Sequence, residues 1–408
     1  MSTSRPGTRF PADMLTREFA QQPYPEFARL RADGSVARVP LKTFSTAVHA
    51  WLVTRYDDAR RLLADPRLSK DAGRIAGVIR AHAVESNEQV TENPPSMLFS
   101  DPPDHTRLRR LVGGAFTARR VQGLVPDIER YTDEALAQIT PGEVVDFVEQ
   151  VALPVPMAVI GALLGIPEDA FGDFREWSAR LGSVGSSLTD KQKVIADAYG
   201  YVRELIERRR AEPADDLISA LLAADDEAGG LSTTELLSTV FLIMNAGYET
   251  TAAMLSSSVL LLHQHPALRA GLAAEPSRVP AFVEETLRYE SPLNLSTIRF
   301  TQEAIEVAGT VIPAGEIVFI SLCAANRDAA RFADADIVRP ARESGHLAFG
   351  HGIHHCLGAP LARLEGRIVL QALLARHPDW RLAVPEHEVV WRHSLQFRGL
   401  ESLPVRFG

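Results

Sequence analysis

Apolar residues recur at helical spacing over much of the chain. The stretches Ile128–Ile139, Val155–Leu164, Val194–Ile206, Asp216–Ala223 and Pro280–Tyr289 each gather their hydrophobic side chains on one face of a 3.6-residue repeat. Leu236–Leu262 differs because it is apolar nearly all round. Ser232-Thr-Thr-Glu235 opens it with a capping-box sequence, and Pro266 closes it. About thirty residues at ~1.5 Å each make a helix of about 45 Å, enough to cross a domain. Asn245 and Glu249 stand near its middle and are costly in a bilayer centre, so the pattern predicts a buried helix rather than a membrane span. Strand-like pieces are shorter. His49–Tyr56 reads as a strand, followed by a short helix through Leu62–Leu63 with Asp57 or Asp58 as its cap. Ile305–Ile312 and Ile317–Leu322 flank the turn Pro313-Ala314-Gly315, and Val389–Phe407 reads as a terminal hairpin. The expectation is a mainly α chain with small β-sheets.

Composition narrows this picture. A length of 408 residues suggests two or three domains, but no repeat, low-complexity tract or Pro/Gly/Ser linker divides the chain, which favours one. Lys and Arg number 43 against 52 Asp and Glu, a net charge of −9, which argues against a nucleic-acid surface. Two cysteines make no disulfide framework and suit a reducing compartment. The N-terminal residues carry no signal-like apolar core, so the expected location is the cytoplasm, with no membrane partner.

The chemistry gathers in four places. Phe349-Gly-His-Gly-Ile-His-His-Cys-Leu-Gly358 places Cys356 after a glycine-rich loop and just before a helix begun by Pro360. Backbone N–H groups and the helix dipole at such a site favour a thiolate, the metal-ligating form. A buried structural cysteine would not need Gly350, Gly352 and Gly358. Zinc on His351, His354, His355 and Cys356 lacks the two separated ligand pairs of structural zinc sites. A cysteine nucleophile would need a base histidine that nothing marks. Haem-thiolate ligation is the reading left standing.

The second place is Asn245-Ala-Gly-Tyr-Glu-Thr-Thr251, where a bent core helix with incidental polar residues competes with an acid–alcohol pair beside a cofactor. The third is Glu285 and Arg288, an i,i+3 pair that is weak evidence alone. The fourth is residues 105–120, with five arginines (107, 109, 110, 119, 120) and no acid. A solvated basic face is the plain reading. His105 and Arg109, one turn apart, also suit an anionic group.

Together these motifs resemble the cytochrome P450 monooxygenases, in the order that family carries them. The run HLAFGHGIHHCLGAPLARLEGR is similar to the haem loop of the soluble actinobacterial branch, and the resemblance spans about Phe19 to the C-terminus, including DPRLSKD at 65–71. It implies a P450 fold in one domain over residues 19–408 after a tail of 1–18, with haem b (iron protoporphyrin IX) between the long helix and the Cys loop. By the same resemblance Cys356 is the iron ligand and His105, Arg109, Arg299 and His354 contact the propionates, while Phe349 packs under the ring. Glu249 and Thr250 are the oxygen-activation pair, with Gly247 leaving room for dioxygen, and Glu285 and Arg288 are a buried structural pair. A pocket of Asp71–Met97, Asn245, Ala246, Leu293, Asn294, Leu295, Leu395 and Gln396 would take a sizeable natural-product-like molecule with some polarity. Electrons would come from a separate ferredoxin or flavodoxin, drawn by the basic face. Three departures stand out: His355 replaces a frequent Phe, Tyr248 a frequent His, and Ile337 the Arg that is third member of a Glu–Arg–Arg set, leaving Arg339 or Arg342 as substitutes. The alternatives are phenol coupling, peroxide-driven oxidation, a non-catalytic haem sensor and a zinc protein.

Overall fold

The strongly periodic segments fold as helices because each has one apolar face to bury. A computed structural model describes residues 16–42, 47–82, 96–182, 188–224, 229–343 and 345–408. Its helices include Val125–Ala137, Pro154–Leu164, Leu188–Ala211, Leu217–Ala223 and Val279–Tyr289. The long helix runs Thr233–Gln264, and its capping box closes in both directions: Glu235 N donates to Ser232 Oγ, and Ser232 N to Glu235 Oε2. It is apolar all round because helices surround it, with Pro154–Leu164, Leu188–Ala211, Val279–Tyr289 and Ala359–Arg376 all packed against it. Pro266 both ends it and starts the next helix, Pro266–Ala274.

Local sequence is a poorer guide to the sheets, because their pairing is largely long-range. Five strands lie in the order Val36–Lys42, Ala47–Val53, Ile317–Ile320, Arg299–Thr301 and Leu68–Ser69, so the strand predicted at 49–56 pairs in parallel with one some 270 residues away, Trp51 opposite Val318. The strand expected over Ile305–Ile312 is instead a hairpin of Ile305–Val307 and Thr310–Ile312. Ala308 and Gly309 both take positive φ (49° and 79°), the backbone a two-residue hairpin turn requires. The predicted terminal hairpin is also revised. Pro404–Phe407 pairs with Trp380–Leu382 and Val144–Asp146, leaving only a bridge between Trp391 and Leu400 inside the expected span. Tyr56–Leu63 is capped by neither Asp57 nor Asp58, which lie in its first turn. The carboxylate of the distant Asp328 accepts from Tyr56 N at 2.9 Å.

The Glu285–Arg288 pair is structural and buried, with side chains 3% and 2% exposed. Arg288 donates to both oxygens of Glu285 at 2.8 Å and to the carbonyls of Asn326 and Ala335. Arg342 supplies the second guanidinium, 3.7 Å from Glu285, where Ile337 cannot. Arg339 reaches Glu285 only through its backbone N–H, and its side chain pairs with Asp334. This network ties the helix Val279–Tyr289 to the segment that leads into the Cys loop.

Two stability outcomes follow from this packing. Arg288→Ala strands the Glu285 carboxylate in the core and is expected to cost about 3–5 kcal/mol in chemical denaturation. Replacing both residues with apolar ones should recover part of that loss; no recovery would show that the buried charge is not the cause. At Gly247 a Cβ would stand 2.4 Å from Ile160 Cδ1, on the helix Pro154–Leu164. The glycine thus lets the long helix pack closely against its neighbour. Gly247→Val should cost about 1–3 kcal/mol of stability, and an unchanged melting temperature would refute the packing role.

Candidate functional site

Asn326 accepts from Leu347 N at 2.6 Å and fixes the start of the Cys loop. The loop then folds on itself, with Cys356 N donating to the Phe349 carbonyl at 2.9 Å and His355 N to that of Gly352 at 3.0 Å. Gly352 is obligatory on two counts: its φ is +76°, and a Cβ would lie 2.9 Å from Ala64 Cα. The loop delivers Cys356 to the start of the helix Ala359–Arg376, with Pro360 in its first turn. Burial pushes the thiol pKa up, while the N–H groups of Gly358 and Ala359 and the charges of Arg109 and Arg363 pull it down. Cys356 is nevertheless open by surface area. An atom deep in the protein and still reachable lines an internal cleft. Cys323, by contrast, is fully buried, and burial raises its thiol to about 11, which makes it inert. Phe349 packs beside the loop with the Arg363 guanidinium 4.5 Å from its ring centre.

A cationic cluster adjoins the cysteine. His105 is 3% exposed and neither ring nitrogen has a partner. Its ring meets that of His354 edge-on at 4.4 Å. Burial, then Lys70, Arg299, His105 and Arg109, push His354 down to about 2, so it is neutral. Arg299 is buried, lowered to about 10 by that burial, and donates only to the Thr297 carbonyl at 3.2 Å. Arg109 donates to the His355 carbonyl at 2.7 Å and so also braces the Cys loop. Among the described residues Asp101 is the acid that acts on these groups, through His105, Arg299 and Lys70. A ligand with carboxylates answers this excess of cations and unpartnered donors, and a soft metal suits the sulfur. The donor set therefore fits haem, with its iron and its two propionates.

The central helix offers a matching surface. Ala246 is exposed and Thr250, one turn on, is part-exposed, in a helix whose neighbouring Met244 and Tyr248 are buried. Thr250 Oγ1 donates to the Ala246 carbonyl at 3.1 Å and Thr251 Oγ1 to that of Gly247 at 3.3 Å, as mid-helix threonines do. Glu249 turns elsewhere. It pairs with Arg392 at 3.3 Å, burial raises its pKa, and it borders a cavity of about 10 Å³, room for about one water. Tyr248 packs on Phe174 and faces away from the strip. Sequence reasoning missed Arg392; its only signal is a lone arginine in the C-terminal segment.

The predicted pocket residues are brought together unevenly. Asn294 N donates to the Gln396 carbonyl at 2.8 Å, and Leu293 bridges to Phe397, which joins 293–294 to 395–397. Leu395 and Gln396 are half-buried. Leu295 is core, 1% exposed, and packs with Phe300 and Phe319 rather than facing a pocket. Asn245 spends its amide on the Phe241 carbonyl. Of Asp71–Met97, residues 83–95 lie outside those described. In the basic run Arg107 pairs with Glu235 and Arg120 with Asp215, and the side chains of Arg110 and Arg119 are solvent-exposed. Among the described residues no group of three His, Cys, Asp or Glu side chains is placed to hold a zinc ion, and no helix is long and apolar enough to cross a membrane.

Comparison with known proteins agrees with this geometry. The family model described as Cytochrome P450 matches residues 183–382. Cytochrome P450 107B1 of Saccharopolyspora erythraea is 44% identical over 396 residues, 96% of each chain. Mycinamicin IV hydroxylase/epoxidase of Micromonospora griseorubida is 41% identical over 366 residues, 87% of this chain and 89% of that one. The tirandamycin C-bound P450 monooxygenase TamI superposes with a TM-score of 0.88 at 41% identity, covering 96% of this chain and 99% of that chain. The chain, a single mainly helical unit with small sheets, belongs to the cytochrome P450 family.

Proposed function

We propose that this P450 monooxygenase hydroxylates or epoxidises a medium-to-large natural product in the cytoplasm, using haem b held by Cys356 and electrons from a separate ferredoxin or flavodoxin. The observation that carries the reading is the open Cys356 sulfur at a helix N-terminus, on a helix packed against the one that exposes Ala246 and Thr250. Relatives named for mycinamicin IV and bound to tirandamycin C support a natural-product substrate. The half-polar lining of Asn294 and Gln396 suits such a molecule.

When bound, the haem supplies dioxygen activation and the oxidising power for a C–H or C=C bond. The chain supplies the rest. Cys356 ligates as a thiolate, its charge held by the N–H groups of Gly358 and Ala359. His105, Arg109, Arg299 and His354 form a polar end where the two propionates fit. Thr250 holds its hydroxyl proton against the Ala246 carbonyl, one side-chain rotation from the cleft. Glu249 is the neighbouring acid. Its raised pKa brings proton exchange nearer neutrality, and Arg392 and the one-water cavity connect it to the side away from Thr250. Arg110 and Arg119 provide the exposed positive charge that steers an acidic electron carrier.

Cys356→Ser should abolish the red-shifted carbonyl Soret band of thiolate-ligated haem; an unchanged band would refute the ligand assignment. Thr250→Ala should lower product formed per electron pair by about tenfold or more, with the lost electrons recovered as hydrogen peroxide. Full coupling in that variant would show that the hydroxyl is not used.

A further inference from the structure

Lys70 is 0% exposed, and its ammonium Nζ has no hydrogen-bond partner among the described residues. It directly follows the edge strand Leu68–Ser69 of the five-stranded sheet, where Asp101 accepts from neighbours of the ammonium: Lys70 N donates to Asp101 Oδ1 at 3.0 Å, and Ser69 Oγ to Asp101 Oδ2 at 2.5 Å. Nζ lies over the Phe99 ring, 5.7 Å from its centre. A buried lysine without an anion is among the most costly groups a fold can carry. Its surroundings make this worse, since Arg299 acts on it unfavourably and only Asp101 offsets that, and burial drives its pKa well down. Lys70 also acts on both His105 and His354, so it belongs to the same cluster. Among the described residues Asp101 is the carboxylate that acts on Lys70, His105 and Arg299.

We propose that Lys70 Nζ is a further anchor for a carboxylate in this cluster, and that the carboxylate is a haem propionate. The inference rests on the proposed haem site and extends it to a residue outside the Arg and His set. The amine completes a charge-assisted hydrogen bond as an ammonium on cofactor binding, and the carboxylate offsets the burial that otherwise drives its pKa down. The fold tolerates Lys70 because binding repays its burial.

The test is haem loss from the full-length holoprotein to excess apomyoglobin, for wild type and Lys70→Met, each loaded with haem or with haem dimethyl ester, whose propionates are blocked. Lys70→Met should release haem about ten- to a hundredfold faster than wild type. With the ester the two proteins should agree within about twofold. Lys70→Arg should restore part of the retention. Melting of the apoprotein should be unchanged or higher in Lys70→Met, because a buried amine without a hydrogen-bond partner among the described residues is gone. Equal haem loss in both proteins, an equal deficit with the ester, or a lower apoprotein melting temperature would each overturn the assignment. Weaker binding of a carboxylate-bearing substrate at unchanged haem retention would overturn it in favour of that ligand. A wild-type protein that takes up no thiolate-ligated haem would instead overturn the proposed function and Lys70's role with it, so the two failures read differently.

Discussion

The site depends on a sulfur held at a helix start in a place that is both deep and open. A thiol in that position is pulled two ways, since burial opposes its ionisation while the N–H groups of Gly358 and Ala359 and the charge of Arg109 favour it. The loop geometry sets the balance. Gly352 passes against Ala64 where no side chain fits, and the Cys356 N–H is held by the Phe349 carbonyl, so the backbone that carries the sulfur is fixed. Everything around it is arranged to hold that loop in place. Arg109 grips the His355 carbonyl, Asn326 grips Leu347, and Arg288 binds the carbonyl of the same Asn326 while neutralising Glu285.

The second constraint is charge. A chain of net charge −9 concentrates basic side chains and imidazoles around 70, 105, 109, 299 and 354, of which Lys70, His105 and Arg299 are buried. The fold leaves these groups without enough protein acceptors, which is expensive unless a dianion arrives. Cofactor retention and fold stability are therefore coupled at this end of the cleft. At the other end, Glu249 is turned to Arg392 and a one-water cavity, so the acid and the alcohol of the central helix face different surroundings although adjacent in sequence.

Much of this was legible in the sequence, and the limits are physical. Helices with one apolar face declare themselves locally, so Pro154–Leu164 and Val279–Tyr289 fell within a residue of expectation. The Cys loop was legible because glycine spacing and a single cysteine before Pro360 encode a backbone path. Strand pairing was not, since Pro404–Phe407 finds its partners at 144–146 and 380–382, and no local pattern encodes that. The turn at Ala308-Gly309 was missed because alanine rarely takes positive φ. Partners of charges were the hardest to foresee: Arg392 for Glu249, Arg342 in place of Ile337, and the unpaired Lys70 all depend on contacts between distant segments. Leu295 was assigned to the pocket by position alone, and alternation along its segment turned it into the core.

The central claim is that this chain uses the Cys356 site to place one atom of dioxygen into a natural product. The most direct measurement is mass spectrometry of turnover under 18O2, with a ferredoxin, its reductase and a polyketide chosen by its spectral displacement of the haem-bound water. The account predicts a product carrying one 18O atom, dependent on the reductase. Product that draws its oxygen from water, or that forms only when peroxide replaces the reductase, would contradict it.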